Sequence, residues 1–286
     1  MRIVRIKSGL GNQMFQYAFY LNLKSLYKDT LADISTISKK NDHNGYELLD
    51  VFGVKLDVAS EEQVEYYADD RMNLIDKVRR KTFGYKKTHY KEIEGLYDNK
   101  VWQKENALFD GYWQNEKYFL NVRDRVISTF TFKKELSQKN AILARKISES
   151  TSVSIHIRRG DYQKKENIKK FGSICTVDYY ERGINYIENK LGDVQYFVFS
   201  DDINWCKKNI SLKNAIFVDW NQKSESYVDM QLMSLCKHNI LANSSFSWWG
   251  SYLNRNENKI VISPSKWFDD SSYNSYNIGL DEWVKL

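Results

Sequence analysis

Two adjacent arginines, Arg158 and Arg159, are the side chains in this sequence best suited to hold an anion. They close the run Val153-Ser-Ile-His-Ile-Arg-Arg-Gly-Asp-Tyr162, in which Val153, Ile155 and Ile157 alternate with Ser154, His156 and Arg158. That alternation is the period of a β-strand, and Gly160 allows a sharp turn where the strand stops. A guanidinium offers several donors in one plane and keeps its charge, so an Arg fork is a natural partner for phosphate. The plainer reading is a strand end with two solvated arginines, with Asp161 as a local ion pair or helix cap. Two further strand ends carry polar groups, Ser200-Asp201-Asp202 and Asn243-Ser244-Ser245-Phe246-Ser247. If the three converge at one sheet edge, Arg and Ser groups would hold phosphate and a carboxylate would read a base. Taken singly, the second and third are equally well explained as helix caps. A fourth stretch, Gly9-Leu10-Gly11 followed by Asn12 and Gln13, begins like a dinucleotide-binding turn, but Met14 stands where the third glycine belongs. What remains is either a tight loop whose amides face a ligand at a helix start or an ordinary strand-to-helix turn.

Positioning these groups takes alternating strands and helices. Residues 2–6 read as a strand, and Met14, Phe15, Tyr17, Ala18, Leu21 and Leu26 recur at helical spacing after the glycine turn. The segment 28–110 is harder to read: a second strand within 28–35, a helix over 61–67, and a helix or loop for the basic run 77–87. Residues 110–114 give a short aromatic strand and 116–130 a helix. The spacing next predicts a helix over 138–150 leading into the strand that ends at Arg158. Beyond it the pattern is regular: helices over 177–191, 203–209, 226–237 and from 248 to 253, alternating with strands over 196–199, 215–218, 239–242 and 259–262. Such alternation predicts a parallel sheet with helices on both faces. The expected division is an amino-terminal lobe of residues 1–148 and a carboxy-terminal lobe of residues 149–286.

A chain of 286 residues carries ample material for a core in one large or two modest domains. The 20 Tyr, 14 Phe and 8 Trp are numerous enough to serve both as packing and as platforms for sugars or bases. Cys175, Cys206 and Cys236 form no CxxC pair and read as free buried thiols of a reducing compartment rather than metal ligands. The amino end lacks the apolar core of a signal peptide, and no stretch is apolar enough to span a membrane, so a cytoplasmic protein is expected. The net charge of +6 is unevenly spread. The run 77–87, Lys-Val-Arg-Arg-Lys-Thr-Phe-Gly-Tyr-Lys-Lys, suits an anionic membrane surface or a nucleic acid, or is simply a solvated face. No nucleic-acid module accompanies it, and no nucleic-acid partner is expected.

Four motifs, in order along the chain, resemble the bacterial α-1,2-fucosyltransferases of glycosyltransferase family 11. They are residues 9–17 (Gly-Leu-Gly-Asn-Gln-Met-Phe-Gln-Tyr), 156–162 (His-Ile-Arg-Arg-Gly-Asp-Tyr), 197–202 (Phe-Val-Phe-Ser-Asp-Asp) and 243–250 (Asn-Ser-Ser-Phe-Ser-Trp-Trp-Gly). Residues 111–114 and 116–119 are also similar to that family, and the resemblance runs from residue 3 to about residue 265. It implies a GT-B-like α/β architecture, two Rossmann-like lobes with a nucleotide-sugar cleft between them. It also implies transfer of L-fucose from GDP-β-L-fucose, with inversion, to the 2-OH of a terminal galactose, for O-antigen or another surface polysaccharide. By the same resemblance Arg158 holds the diphosphate with Arg159 in support. His156 and one of Asp201 and Asp202 lie near guanine, and Ser244, Ser245 and Phe246, with Asn243, near the phosphates. Gly11 and Asn12 reach the donor from the other lobe. Tyr112, Trp113 and Gln114 are candidates for the acceptor side.

The residues fit that chemistry in their own right. Breaking a sugar–phosphate bond leaves negative charge on the nucleotide, which a metal or fixed cations must stabilise. The chain has no Asp-x-Asp triplet, so Arg158 with hydroxyls and amides is expected to serve, with no metal or other cofactor. For the proton of the acceptor hydroxyl the candidates are Asp161, Glu166 in a polar loop, or the donor phosphate itself. Competing readings are a fucosyltransferase of another linkage or a transferase of a different GDP-sugar. More distant is a carbohydrate-binding module built on the Trp and Tyr rings, which gives no reason for the Arg pair. Peripheral contact with the cytosolic face of a membrane and the oligomeric state are left open.

Overall fold

The structure, a computed structural model, describes residues 1–39, 44–93, 96–165, 167–269 and 277–286. The chain divides into two compact units, Met1–Thr131 and Phe132–Leu286.

The first unit is built on a parallel sheet in the order β2-β1-β4-β3, with β1 (Arg2–Arg5), β2 (Thr30–Asp33), β3 (His89–Lys91) and β4 (Ala107–Asp110). After β1 the chain turns at Ser8, held at φ +67°, and enters α1 (Leu10–Leu26). Helix α1 is buried on nearly every side, as a helix rich in apolar residues all round must be. Its Phe19 ring stacks on Trp113 at 4.3 Å and meets Phe109 and Tyr118 edge-on. The remaining helices are α2 (Ser35–Lys39), α3 (Glu47–Phe52), α4 (Glu61–Tyr67), α5 (Leu74–Phe83) and α6 (Arg123–Thr129). Helix α4 spans the expected residues and starts in a capping box between Ser60 and Gln63.

Two expectations for this unit fail. Residues 111–114 are not a strand: β4 stops at Asp110, Trp113 takes φ +55°, and the Glu92 carboxylate accepts the Tyr112 and Trp113 amides at 2.6 and 3.0 Å. The helix expected over 116–130 is two short 3₁₀ turns, Glu116–Tyr118 and Leu120–Val122, followed by α6. The Phe119 amide bonds Glu116 O at 2.9 Å and the Val122 amide bonds Phe119 O at 3.0 Å, three residues back rather than four, so the segment winds as 3₁₀ turns.

The second unit holds a parallel sheet in the order β10-β9-β8-β5-β6-β7. Its strands are β5 (Ser152–Ile157), β6 (Gln195–Ser200), β7 (Ala215–Val218), β8 (His238–Ile240), β9 (Val261–Ser263) and β10 (Val284–Lys285). Its helices are α7 (Gln138–Glu149), α8 (Val177–Leu191), α9 (Ile203–Asn209), α10 (Tyr227–Leu235) and α11 (Ser245–Tyr252). Val153, Ile155 and Ile157 pack on Tyr179, Tyr180, Ile184 and Ile187 of α8, whereas on the other face the Ser154 hydroxyl accepts a hydrogen bond from Asn239 at 2.7 Å. Every β5 residue is buried, as expected of a parallel strand covered on both faces. Helix α7 belongs to this unit, because Asn140 accepts from the Trp220 indole at 2.8 Å and donates to Asn221 at 2.8 Å. The structural division therefore falls before α7, between Thr131 and Phe132, rather than at residue 148. All three cysteines lie in this unit as free thiols.

Candidate active site

The order of strands in the second sheet locates a site. From β5 the chain builds outward through β6 and β7, then crosses to the other side of β5 to lay down β8 and β9. Beyond the carboxyl ends of β5 and β8 the flanking loops diverge, and such a switch point is where open α/β sheets hold ligands. β8, β5 and β6 are neighbours, so residues 156–161, 200–202 and 243–247 do converge at one edge.

At that edge the guanidinium of Arg158 is fixed by two carboxylates. Asp161 Oδ1 accepts from Arg158 Nε at 2.9 Å and pairs with Nη2 at 2.7 Å, while Asp201 Oδ2 lies 3.2 Å from Nη1. Burial alone would lower the Arg158 pKa; Asp201 and Asp161 outweigh it and hold the group above the ordinary arginine value. The side chain keeps about a third of its surface exposed (33%), so the fork is rigid yet reachable. Asp201 also accepts the backbone amides of Arg159 at 2.9 Å and Gly160 at 3.1 Å, clamping the turn after β5. A Cβ on Gly160 would meet Asp201 Oδ2 at 2.7 Å, so this close approach requires glycine.

Arg159 points to the β6 side. Its Nε lies 3.3 Å from Asp202 Oδ2, and its guanidinium sits 3.9 Å from the centre of the Trp205 ring. Asp202 in addition caps α9 through the Trp205 amide at 3.1 Å. His156 is buried beside Phe246, ring centres 5.6 Å apart; burial, then the Arg158 charge, push its pKa down to about 3. The imidazole is therefore neutral at any working pH, and its Nδ1 has no hydrogen-bond partner. Across the switch point the Tyr162 hydroxyl donates to the Asn243 carbonyl at 2.9 Å, and Asn243 Nδ2 donates to Phe171 O at 3.3 Å. Ser244 caps α11 by accepting the Phe246 amide at 3.3 Å. Ser245 and Phe246 are half-buried at the helix start. A pocket of about 200 Å³ opens here, lined by Arg158, Arg159, Gln163, Cys175, Trp205 and Asn243 among others. The Cys175 thiol is pushed up to about 12 by burial, which rules it out as a nucleophile.

The first unit has its own switch point, between β1 and β4, and the expected residues gather there. Gln114 Nε2 donates to Asn12 Oδ1 at 2.6 Å. Gln16 accepts the Lys7 amide at 2.8 Å and donates to Gly111 O at 3.0 Å, tying the loops after β1 and β4 together. Gly11 is buried in the first turn of α1, and Gln13 serves structure, bonding Ser8 O, Gly45 O and the Glu47 amide. Tyr112 is half-buried, with Lys7 Nζ 5.1 Å from its ring centre. Trp113 corrects an expectation. It is wholly buried against Phe19 and presents no ring face to a sugar.

Two features escaped the sequence reading. Asp110, at the end of β4, meets Lys7 Nζ at 2.5 Å, His89 Nε2 at 3.2 Å and Arg5 Nη1 at 3.4 Å. Burial works against its charge, but His89, Lys7 and Arg5 prevail and hold its carboxyl far below the usual range. Asp229 on α10 goes the other way: crowding raises its pKa to about 7, although Asn221 donates to it at 2.8 Å. No local signal separated either from the other acidic residues. Glu166 lies outside the described residues.

Two α/β units, each with a parallel sheet and a switch point, are the elements of the GT-B fold. The model of one family, glycosyl transferase family 11, matches residues 1–286, and the chain belongs to that family. It is 34% identical to the alpha-1,2-colitosyltransferase of Escherichia coli, over 99% of this chain and 98% of that protein. It is equally 34% identical to the O-antigen biosynthesis glycosyltransferase WbnK of Escherichia coli, over 98% of this chain and 99% of that protein. A mouse galactoside 2-alpha-L-fucosyltransferase, Sec1 of Mus musculus, is 23% identical over 88% of this chain and 64% of its own length. Among solved structures the fucosyltransferase NodZ from Bradyrhizobium superposes with a TM-score of 0.50 at 12% identity, covering 87% of this chain and 91% of NodZ, and supports the fold.

Proposed function

We propose that this glycosyltransferase moves L-fucose from GDP-β-L-fucose, with inversion, to the 2-OH of a terminal galactose in a surface oligosaccharide. The observation that carries the reading is Arg158, held by Asp161 and Asp201 at the mouth of a pocket on the switch point of the second sheet. A fixed, partly exposed guanidinium is suited to the charge that develops on a departing diphosphate, because it needs no reorganisation as the bond breaks. Neutral His156 leaves Nδ1 buried without a partner beside Phe246, and Ser244, Ser245 and Phe246 start the helix across the switch point, where amides favour phosphate. Asp161, Asp201, Asp202 and Arg159 act in this reading by holding the turn and the fork. Asn12 and Gln114, joined at the switch point of the first unit, belong to the sugar side, with Tyr112 beside them. For the acceptor proton the candidates are Glu166 and the donor phosphate itself, and Glu166→Gln separates them.

The test is incubation of the purified protein with GDP-fucose and lactose in EDTA, reading GDP release and the linkage of any trisaccharide. An α-1,2-linked product supports donor, linkage and independence of a divalent metal together. Failure of every acceptor, with no effect of GDP on thermal stability, sinks the reading. A second reading is favoured by the 34% identity to a colitosyltransferase: the same α-1,2 transfer with GDP-colitose as donor. Comparing the two GDP-sugars at one acceptor separates the readings.

A further inference from the structure

Helix α5 is attached to the first unit the wrong way round for a helix of a globular protein. None of its residues is buried, and its apolar side chains face solvent: Leu74 is 76% exposed, Ile75 82% and Val78 57%. Helical spacing puts these three on one stripe, Asp76 and Arg80 on the far side, and Arg79 at the border next to Ile75. The polar side is the one that docks. Arg79 pairs with Asp69, Arg80 Nη1 lies 3.3 Å from the same carboxylate, and Arg80 Nη2 donates to Arg71 O at 2.6 Å. The helix is closed at both ends, since Asn73 accepts the Asp76 amide at 2.7 Å and Gly84 stops it at φ +73°. It therefore keeps its shape without burying its apolar stripe.

What borders the stripe indicates what covers it. Lys77 and Lys81 lie along one edge, Met72 (73% exposed) precedes the helix, and exposed Lys87 follows it. Protein interfaces are depleted in lysine, whereas a bilayer surface takes apolar side chains between acyl chains and lets lysine stems reach back to anionic headgroups. Among the described residues no helix is long and apolar enough to cross a membrane, so contact through α5 would be with the surface alone. We propose that α5 is a docking helix for an anionic lipid bilayer, inserting Leu74, Ile75 and Val78 with Lys77, Lys81 and Lys87 on the headgroups. This holds whichever sugar is transferred.

The test uses the full chain and sedimentation with two vesicle types, phosphatidylcholine alone and an equal mixture of phosphatidylcholine and phosphatidylglycerol. The unmodified protein is expected to pellet with the mixed vesicles and not with phosphatidylcholine, less so as salt is raised. Ile75→Ser with Val78→Ser, and separately Lys77→Glu with Lys81→Glu, are each expected to weaken partition by about tenfold or more. All four positions are exposed, so the variants should fold, and transfer to a soluble acceptor should be unchanged. Equal pelleting of variants and unmodified protein overturns the proposal, as does equal binding to both vesicle types. A lipid-free drop in molecular mass on Ile75→Ser with Val78→Ser, seen by light scattering, also overturns it by making the stripe a contact between copies of the chain.

Discussion

At the scale of single residues the two arginines are not equivalent. Arg158 faces the pocket from between two carboxylates, while Arg159 lies against Trp205 and Asp202. Removing one preorganised donor of developing charge typically costs about 10² to 10³ in turnover. Arg158→Ala should fall by that much in GDP release, and Arg158→Lys should recover little, because an ammonium cannot reproduce the fork. Arg159→Ala should lose roughly tenfold less than Arg158→Ala. Asp201→Asn keeps one acceptor oxygen but loses the charge beside Arg158 and one of two amide bonds. It should slow turnover by roughly ten- to a hundredfold through misplacement of the fork, with unchanged far-UV circular dichroism. Asp229 gives a pH prediction. Its folded pKa of about 7 lies above that of an ordinary carboxyl, so the folded state keeps a proton that the unfolded chain releases. Its contribution is present in acid and lost as pH rises toward 7. The side chain is only half-buried, so the loss is about 1–2 kcal/mol. Asp229→Asn should flatten the fall of Tm with pH across that window. Arg158, Arg159 and Asp161 were legible in the sequence because alternation and a glycine mark where that strand ends. The Asp201 clamp was not, since its partners lie 42 and 41 residues away and adjacency of β5 and β6 is a fact of topology.

At the scale of elements, each sheet collects its polar residues where strand order reverses. In the second unit the helices over 177–191 and 203–209 and the strand over 215–218 agree with the sequence reading residue for residue. Apolar strands with amphipathic helices between them leave little ambiguity of period. In the first unit the legible parts were β1, α1 and α4, and the rest was obscured by short strands and 3₁₀ turns whose buried aromatics follow no period. Trp113 shows why: an exposed-looking Gly-Tyr-Trp-Gln run is turned inward by a carboxylate 21 residues away. Glu92→Ala should unfasten that turn and lower stability by about 1–3 kcal/mol, read as a urea midpoint. Gly160→Ala tests the other turn. Its methyl group has to displace the Asp201 carboxylate, so activity should fall as in Asp201→Asn while the unfolding free energy from urea melts falls by no more than about 1–2 kcal/mol.

At the scale of the whole molecule, the proposed donor contacts divide unevenly between two units with separate cores. If GDP is held at the second sheet's switch point, hydrogen exchange should slow at the ends of β5, β6 and β8, with the first unit's sheet little changed. Protection spread evenly over both sheets would count against that assignment. The uneven placement of the thiols allows a related experiment. Cys175, Cys206 and Cys236 all belong to Phe132–Leu286, and the other unit carries none. Cys206 and Cys236 are buried, and burial lifts all three thiols above their ordinary range, Cys206 to about 11. Alkylation of Cys206 and Cys236 must then wait for the protein to open, because it needs the thiolate and access to it. The chain thus carries its own clock: the rate at which iodoacetamide caps these two buried sulfurs times the breathing of one half of the molecule while the other stays silent.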